Sequence, residues 1–342
     1  MNDRYLWDRG GKPDPDLERL ENVLSRYRHR GDPLVLPEEM PAVKRAPRRS
    51  SGTALRWALA AAALLALPVV GSWWMMSAHG WRVAATHGTP YVGERLLQGH
   101  GRVALGQWIV TNSTSSARLE VGRIGVVTLA PNSRLHVIGR QGDVHRLALQ
   151  VGMLEATILA PPRQFVVDTP SATAVDLGCV YALEVDPSGA GMLTVVVGWV
   201  SFETAGRESF VPAGARCATR PGRGPGTPHF TDAAPALKNA LAIVDLAGDA
   251  PPDSALAAVL ASARREDGFT LWHLLARLDP ARRGTVYDRL RALVPPPDGV
   301  TREGVVAGDR TMLDRWWDVL GLGLSKDWRR WKGPDPTERR PS

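Results

Sequence analysis

Two cysteines, Cys179 and Cys217, and eight histidines have the widest chemical repertoire in this 342-residue chain. In an oxidising compartment such a cysteine pair invites a disulfide. Closing a loop of that length would contribute roughly 3 to 4 kcal/mol by constraining the unfolded chain. The alternative is that Cys179, in phase with Tyr181, Leu183 and Val185, is a small buried apolar residue. The histidines, at 29, 79, 87, 100, 136, 145, 229 and 273, are scattered, none in an HExxH spacing and none in ligand spacing with a cysteine, so no metal centre is expected. Ser113, Ser115 and Ser116 lack the flanking glycines of a nucleophile elbow, and GRGPGTP at 222–228 lacks the lysine of a phosphate loop. Alternation points Asp143 and His145 to the same exposed edge, where both would be solvated. The chain therefore reads as non-enzymatic and without a cofactor, and binding is the chemistry left to its elements.

Those elements begin with an apolar run. Residues 57–78, WALAAAALLALPVVGSWWMMSA, carry no charge. At about 1.5 Å per residue a helix of that length crosses the roughly 30 Å hydrocarbon layer of a bilayer. Residues 41–56 hold five basic side chains (Lys44, Arg45, Arg48, Arg49, Arg56) and no acid, whereas the twenty residues after the run offer only Arg82, Arg95 and the opposing Glu94. The positive-inside bias then places the N-terminus in the cytoplasm and the bulk of the chain outside a bacterial inner membrane. Trp57 at one end and Trp73 with Trp74 at the other suit the two interfacial belts. Two other readings stay open: a buried core helix, and a cleaved signal peptide initiated at Met40, although Met76 suits a peptidase cut after Ala78 poorly. The net charge of +7 is read as topological, without a direct nucleic-acid partner. Ahead of the basic linker, residues 1–40 form a tail with one amphipathic helix, whose face of Leu17, Leu20, Val23, Leu24 and Tyr27 wants a partner.

Past the membrane the periodicity becomes two. Ala117, Leu119 and Val121 alternate with Arg118 and Glu120; Leu135 and Val137, then Leu147, Leu149 and Val151, then Leu154, Ala156 and Ile158 repeat the pattern. Turn signals separate these half-buried strands at intervals near ten residues, which suits a sandwich, a roll or a short solenoid. Phe165 to Asp168, Thr173 to Asp186 and Met192 to Glu203 follow as later strands, and the Val195-Val196-Val197 run predicts burial on both faces.

Residues 106–137 (GQWIVTNSTSSARLEVGRIGVVTLAPNSRLHV), 165–186 (FVVDTPSATAVDLGCVYALEVD) and 198–203 (GWVSFE) together resemble the FecR domain. The resemblance covers roughly residues 82–220. It implies a transmembrane sensor that relays envelope signals to an extracytoplasmic-function sigma factor, held by the cytoplasmic part, with an outer partner on the periplasmic side. The tail offers one helix where the family's sigma-binding domain has several, and residues 230–342 differ from the small domain that ends its best-known members.

Beyond a Pro- and Gly-rich linker at 221–230 the period returns to 3.6. Leu256, Val259, Leu260 and Ala263 form one stripe; Leu271, Leu274, Leu275 and Leu278 a second; Val286, Leu290 and Val294 a third behind Asp279-Pro280. Met312, Leu313, Trp316, Trp317 and Leu320 form a fourth behind Asp309, and Ser325 can cap a last helix carrying Trp328 and Trp331. The clustered tryptophans could be a ligand platform or core packing. The expected fold class is α+β: a cytoplasmic tail (1–40), a basic linker (41–56), a single transmembrane helix (57–78), a periplasmic all-β FecR-like domain (79–220), the linker (221–230), a helical bundle (231–332) and a disordered tail (333–342). The alternative to a sigma-factor relay is an envelope binding or scaffold protein gripping another protein or a polysaccharide.

Overall fold

The computed structural model describes residues 80–204, 206–248 and 250–323. The tail face of Leu17, Leu20, Val23, Leu24 and Tyr27, the basic residues Lys44, Arg45, Arg48, Arg49 and Arg56, the apolar run 57–78 and the last tryptophans Trp328 and Trp331 lie outside them. Among the described residues no helix is long and apolar enough to cross a membrane. What is described is mixed α+β, with strands first and helices after.

In chain order the strands are β1 (Trp81–His87), β2 (Tyr91–Val92), β3 (Arg95–Leu96), β4 (His100–Val103), β5 (Trp108–Val110), β6 (Ser116–Val121), β7 (Gly125–Leu129), β8 (Arg134–Gln141) and β9 (Val144–Ile158). Then come β10 (Phe165–Asp168), β11 (Thr173–Asp176), β12 (Val180–Val185), β13 (Gly191–Val197), β14 (Trp199–Thr204), β15 (Arg207–Pro212), β16 (Ala215–Arg220), β17 (Gly224–Pro225) and β18 (His229–Phe230). One sheet runs β4-β1-β6-β7-β9-β12-β13-β16, with β17 and β18 beyond β16. The other runs β3-β2-β5-β8-β9-β10-β11-β14-β15. Their apolar faces feed one core, so of sandwich, roll and solenoid the first describes it.

Strand β9 belongs to both sheets. Its first half pairs with β8 and its second half with β7 and β12. The buried set is Leu147 and Leu149 in the first half, then Leu154, Ala156 and Ile158 in the second. The apolar phase therefore slips by one residue where the strand changes sheets. Gly152, at φ +98°, absorbs the slip; a side chain there would collide with Ser133.

Two expected strands are each divided. Thr173 to Asp186 becomes β11 and β12, in different sheets, and Met192 to Glu203 becomes β13 and β14, broken at Gly198. Each crossing lets successive hairpins alternate between sheets, which no pattern of apolar residues announces. The valine run is not buried on both faces: Val195 is interior, while Val196 and Val197 are exposed at the end of β13.

The helices are α1 (Pro235–Ala247), α2 (Asp253–Ser262), α3 (Gly268–Leu275), α4 (Pro280–Leu293), α5 (Arg302–Ala307) and α6 (Arg310–Trp317). Asp279 caps α4 by accepting from Arg282 N, with Pro280 in the first turn, and Asp309 caps α6 by accepting from Met312 N. The four expected stripes face inward, and Trp316 and Trp317 are fully enclosed, so core packing rather than a ligand platform describes them. The segment 221–230 is not a free linker: it contributes β17 and β18, and Gly224 through Pro228 are buried. The helices and sheets consequently share one hydrophobic core.

Candidate functional site

The two cysteines, expected as a bridge, are both free and buried. Cys217 on β16 lies opposite Leu193 on β13, and Leu193 opposite Leu183 on β12. Two strand spacings plus the four residues from Leu183 to Cys179 put the pair about 15 Å apart, against a limit near 7 Å between bridged Cα atoms. Each sulfur has its own acceptor: Cys179 Sγ donates to Asp176 Oδ2 at 2.6 Å and Cys217 Sγ to Gly226 O at 3.2 Å. Burial raises the Cys179 thiol far above its ordinary range and pushes Cys217 up to about 12, so both stay protonated and unreactive.

Asp176, at the end of β11, was not singled out by the sequence. It is 1% exposed and accepts from Gly178 N at 2.6 Å as well as from Cys179. Desolvation pushes its carboxyl from 3.8 to about 6, opposed by those hydrogen bonds. The D-x-x-C spacing across a turn was the available signal. His145, read as solvated, is instead 7% exposed and packs on Trp81 with ring centroids 5.4 Å apart. Asp143 does stay in water, paired with Arg140. The β8–β9 turn separates them because β9 has already turned its inward face at His145.

The edge of the second sheet is closed by side chains from the helices. Phe210 N on β15 donates to His273 Nε2 at 3.1 Å, and Glu208 O accepts from Arg277 Nη2 at 3.1 Å. These groups belong to residues two apart and so project from the same, otherwise open side of the strand. His273 Nδ1 then donates to Phe269 O, which fixes the tautomer, and burial pulls its value from 6.5 to about 3. Arg277 also reaches Thr227 Oγ1 at 3.0 Å and Ser209 Oγ at 2.5 Å, with Asp245 Oδ1 at 3.9 Å.

An open groove of about 670 Å³ lies at the turns between β10 and β11 and between β14 and β15. Thr169, Thr173, Glu203, Arg207, Arg223 and Gly224 line it, so part of the GRGPGTP stretch forms its floor. Gly224 is required there at φ +70°, because a Cβ would collide with Thr204. Arg207 Nη1 donates to Arg223 O at 3.3 Å, while Glu203 is held by Arg163 and by the Ser201 hydroxyl. With that carboxylate paired, two guanidinium groups give the groove a bias toward anionic or strongly polar ligands. Among the described residues no cluster of three or more His, Cys, Asp or Glu could hold a metal ion.

No protein-family model matches the sequence, and neither does any curated protein. Among solved structures, two crystal structures of a candidate anti-sigma factor from Parabacteroides distasonis ATCC 8503, at 1.65 Å and 2.50 Å resolution, are similar. Each is 14% identical over 40% of this chain and 64% of the other, with a TM-score of 0.33. This chain thus spans a little under two thirds of those structures' length.

Proposed function

We propose that this chain is a single-pass inner-membrane signalling protein, FecR-like in plan. Its external unit binds a signal or partner, and its N-terminal tail passes the state of that unit to a cytoplasmic protein, an extracytoplasmic-function sigma factor. The role is one of binding, not catalysis. The observation that carries the reading is the order of segments: an amphipathic tail, five basic residues without an acid, an uncharged run of 22 residues, and then a folded β unit whose first strand begins three residues later. The groove at the hairpin tips supports it by offering an open, positively biased place for a polar signal. Transmission requires that ligand binding favour one of two states of the chain, since only a differential free energy can be relayed.

Deleting residues 1–40 from the chain in its own cell tests this. Transcription of the genes that respond to the external signal should lose its dependence on that signal, while binding by the external unit persists. Unchanged transcription with binding intact would replace the relay by an envelope scaffold.

A further inference from the structure

The end of the two-sheet unit at which β1 begins collects features that solvent alone does not explain. Trp81 pairs with Val103, Arg82 with Glu120, Gly125 with Ile158 and Val180 with both Thr157 and Val197. The turns at 104–107, 122–124, 159–164 and 177–179 therefore lie at this same end, and Leu159 N donating to Ile124 O and Ile158 N to Cys179 O tie them together. Large apolar side chains stand out from them: Leu159 is 85% exposed, Val197 57% and Leu105 48%. Exposed Arg123 sits in one of these turns. Arg82 stands between Glu120 on β6 and Arg102 on β4, the latter donating its Nη2 to Gly80 O at 2.6 Å, and these side chains line a groove of about 370 Å³ with Arg118 and His100.

The chain itself says what lies near this end. Only His79 and Gly80 lie between Ala78 and Trp81, and three residue steps of no more than about 3.6 Å hold the start of β1 within roughly 11 Å of the apolar run. The polar layer of a bilayer is about 5 to 8 Å thick on each side. If that run spans the membrane, the exposed leucines and arginines stand at the headgroups.

We propose that this end of the β unit is a membrane-docking surface, with Leu105, Leu159 and Val197 entering the interface and Arg82 and Arg123 pairing with the phosphates of anionic lipids. Apolar side chains ringed by arginine suit the interfacial region, and each added cation strengthens attraction to an anionic surface. Docking fixes how the external unit sits over its anchor, and a ligand that favours the undocked orientation would be read as a change at the membrane. The inference rests on residues 57–78 being an anchor.

The test uses the full chain in lipid nanodiscs, either phosphatidylcholine alone or phosphatidylcholine with phosphatidylglycerol. Leu159→Cys and, at the opposite end, Ser188→Cys are each reacted with a water-soluble maleimide, the parent chain giving the background of the two buried thiols. In anionic discs Leu159→Cys should react about tenfold more slowly than Ser188→Cys, and the protection should fall with salt and with Arg82→Glu/Arg123→Glu. Equal reaction at both positions overturns the proposal. So does equal protection in neutral discs, or protection that grows with protein concentration, which marks a second copy as the occupant. A chain that does not enter discs at all rejects the anchor instead, so the two failures are told apart.

Discussion

Arg277→Ala should lower the unfolding free energy by about 3 to 5 kcal/mol, the cost typical of removing one partner from a buried charged network. The side chain is 8% exposed and sits where the turn after α3 meets β15 and the 221–230 stretch. Desolvation lowers its value to about 10, with Asp245 opposing, so it remains charged at neutral pH. Its loss leaves the Glu208 carbonyl and the Ser209 hydroxyl without their donor and the Asp245 carboxylate without its cation. Asp245 keeps Thr227 N and Thr227 Oγ1, each at 2.7 Å. Asp245→Asn should therefore cost less than Arg277→Ala, and the double variant less than the sum, because the sites share partners. Arg277→Lys recovers only part, since one ammonium cannot reproduce the planar fork. Urea unfolding of the four variants measures this. A loss below about 1 kcal/mol for Arg277→Ala would mean the helices are not secured to the sheet edge through this residue.

The second large effect is a pH dependence with two opposing limbs. His273 has a folded value of about 3 against 6.5, so the fold favours its neutral form. That stability is complete above pH 6.5 and is lost as pH falls toward 3. Asp176 has a folded value of about 6 against 3.8, so the fold favours its protonated form. That contribution is present below pH 3.8 and is lost as pH rises through 6. Between these values the two slopes, each up to about 1.4 kcal/mol per pH unit, run against each other. Asp176→Asn removes one limb. Relative to the parent, the variant should gain about 2.4 kcal/mol between pH 4 and pH 7, whatever constant offset the changed hydrogen bonds introduce. A difference between variant and parent that does not move with pH would show that Asp176 is not held protonated by burial.

How far the sequence reached depends on what each signal encodes. Period-two alternation located β6, β8 and both halves of β9, because a side chain's face is a local property. It could not assign a strand to one sheet or the other, so the breaks at Leu177–Cys179 and Gly198 passed unseen. The helical stripes were legible for the same local reason, and so were the Asp279 and Asp309 caps. Helix α1 was missed: its Ala234 cap position makes no side-chain hydrogen bond and its exposed face carries Ile243 and Leu246, which blurs the apolar stripe. The bridge between Cys179 and Cys217 failed because shared compartment says nothing of register. Arg277 and His273 were illegible as a site, since their partners on β15 lie more than sixty residues away in sequence. Composition made 221–230 a linker, while burial under the helices made it part of the core.

In the function proposed above, residues 57–78 divide the chain between two compartments. The direct measurement is a set of fusions to a reporter enzyme that folds only outside the cytoplasm, placed after residue 40, after residue 248 and after residue 323. The reporter should be inactive at the first position and active at the other two. Equal activity at all three would put both flanks on one side and contradict the account.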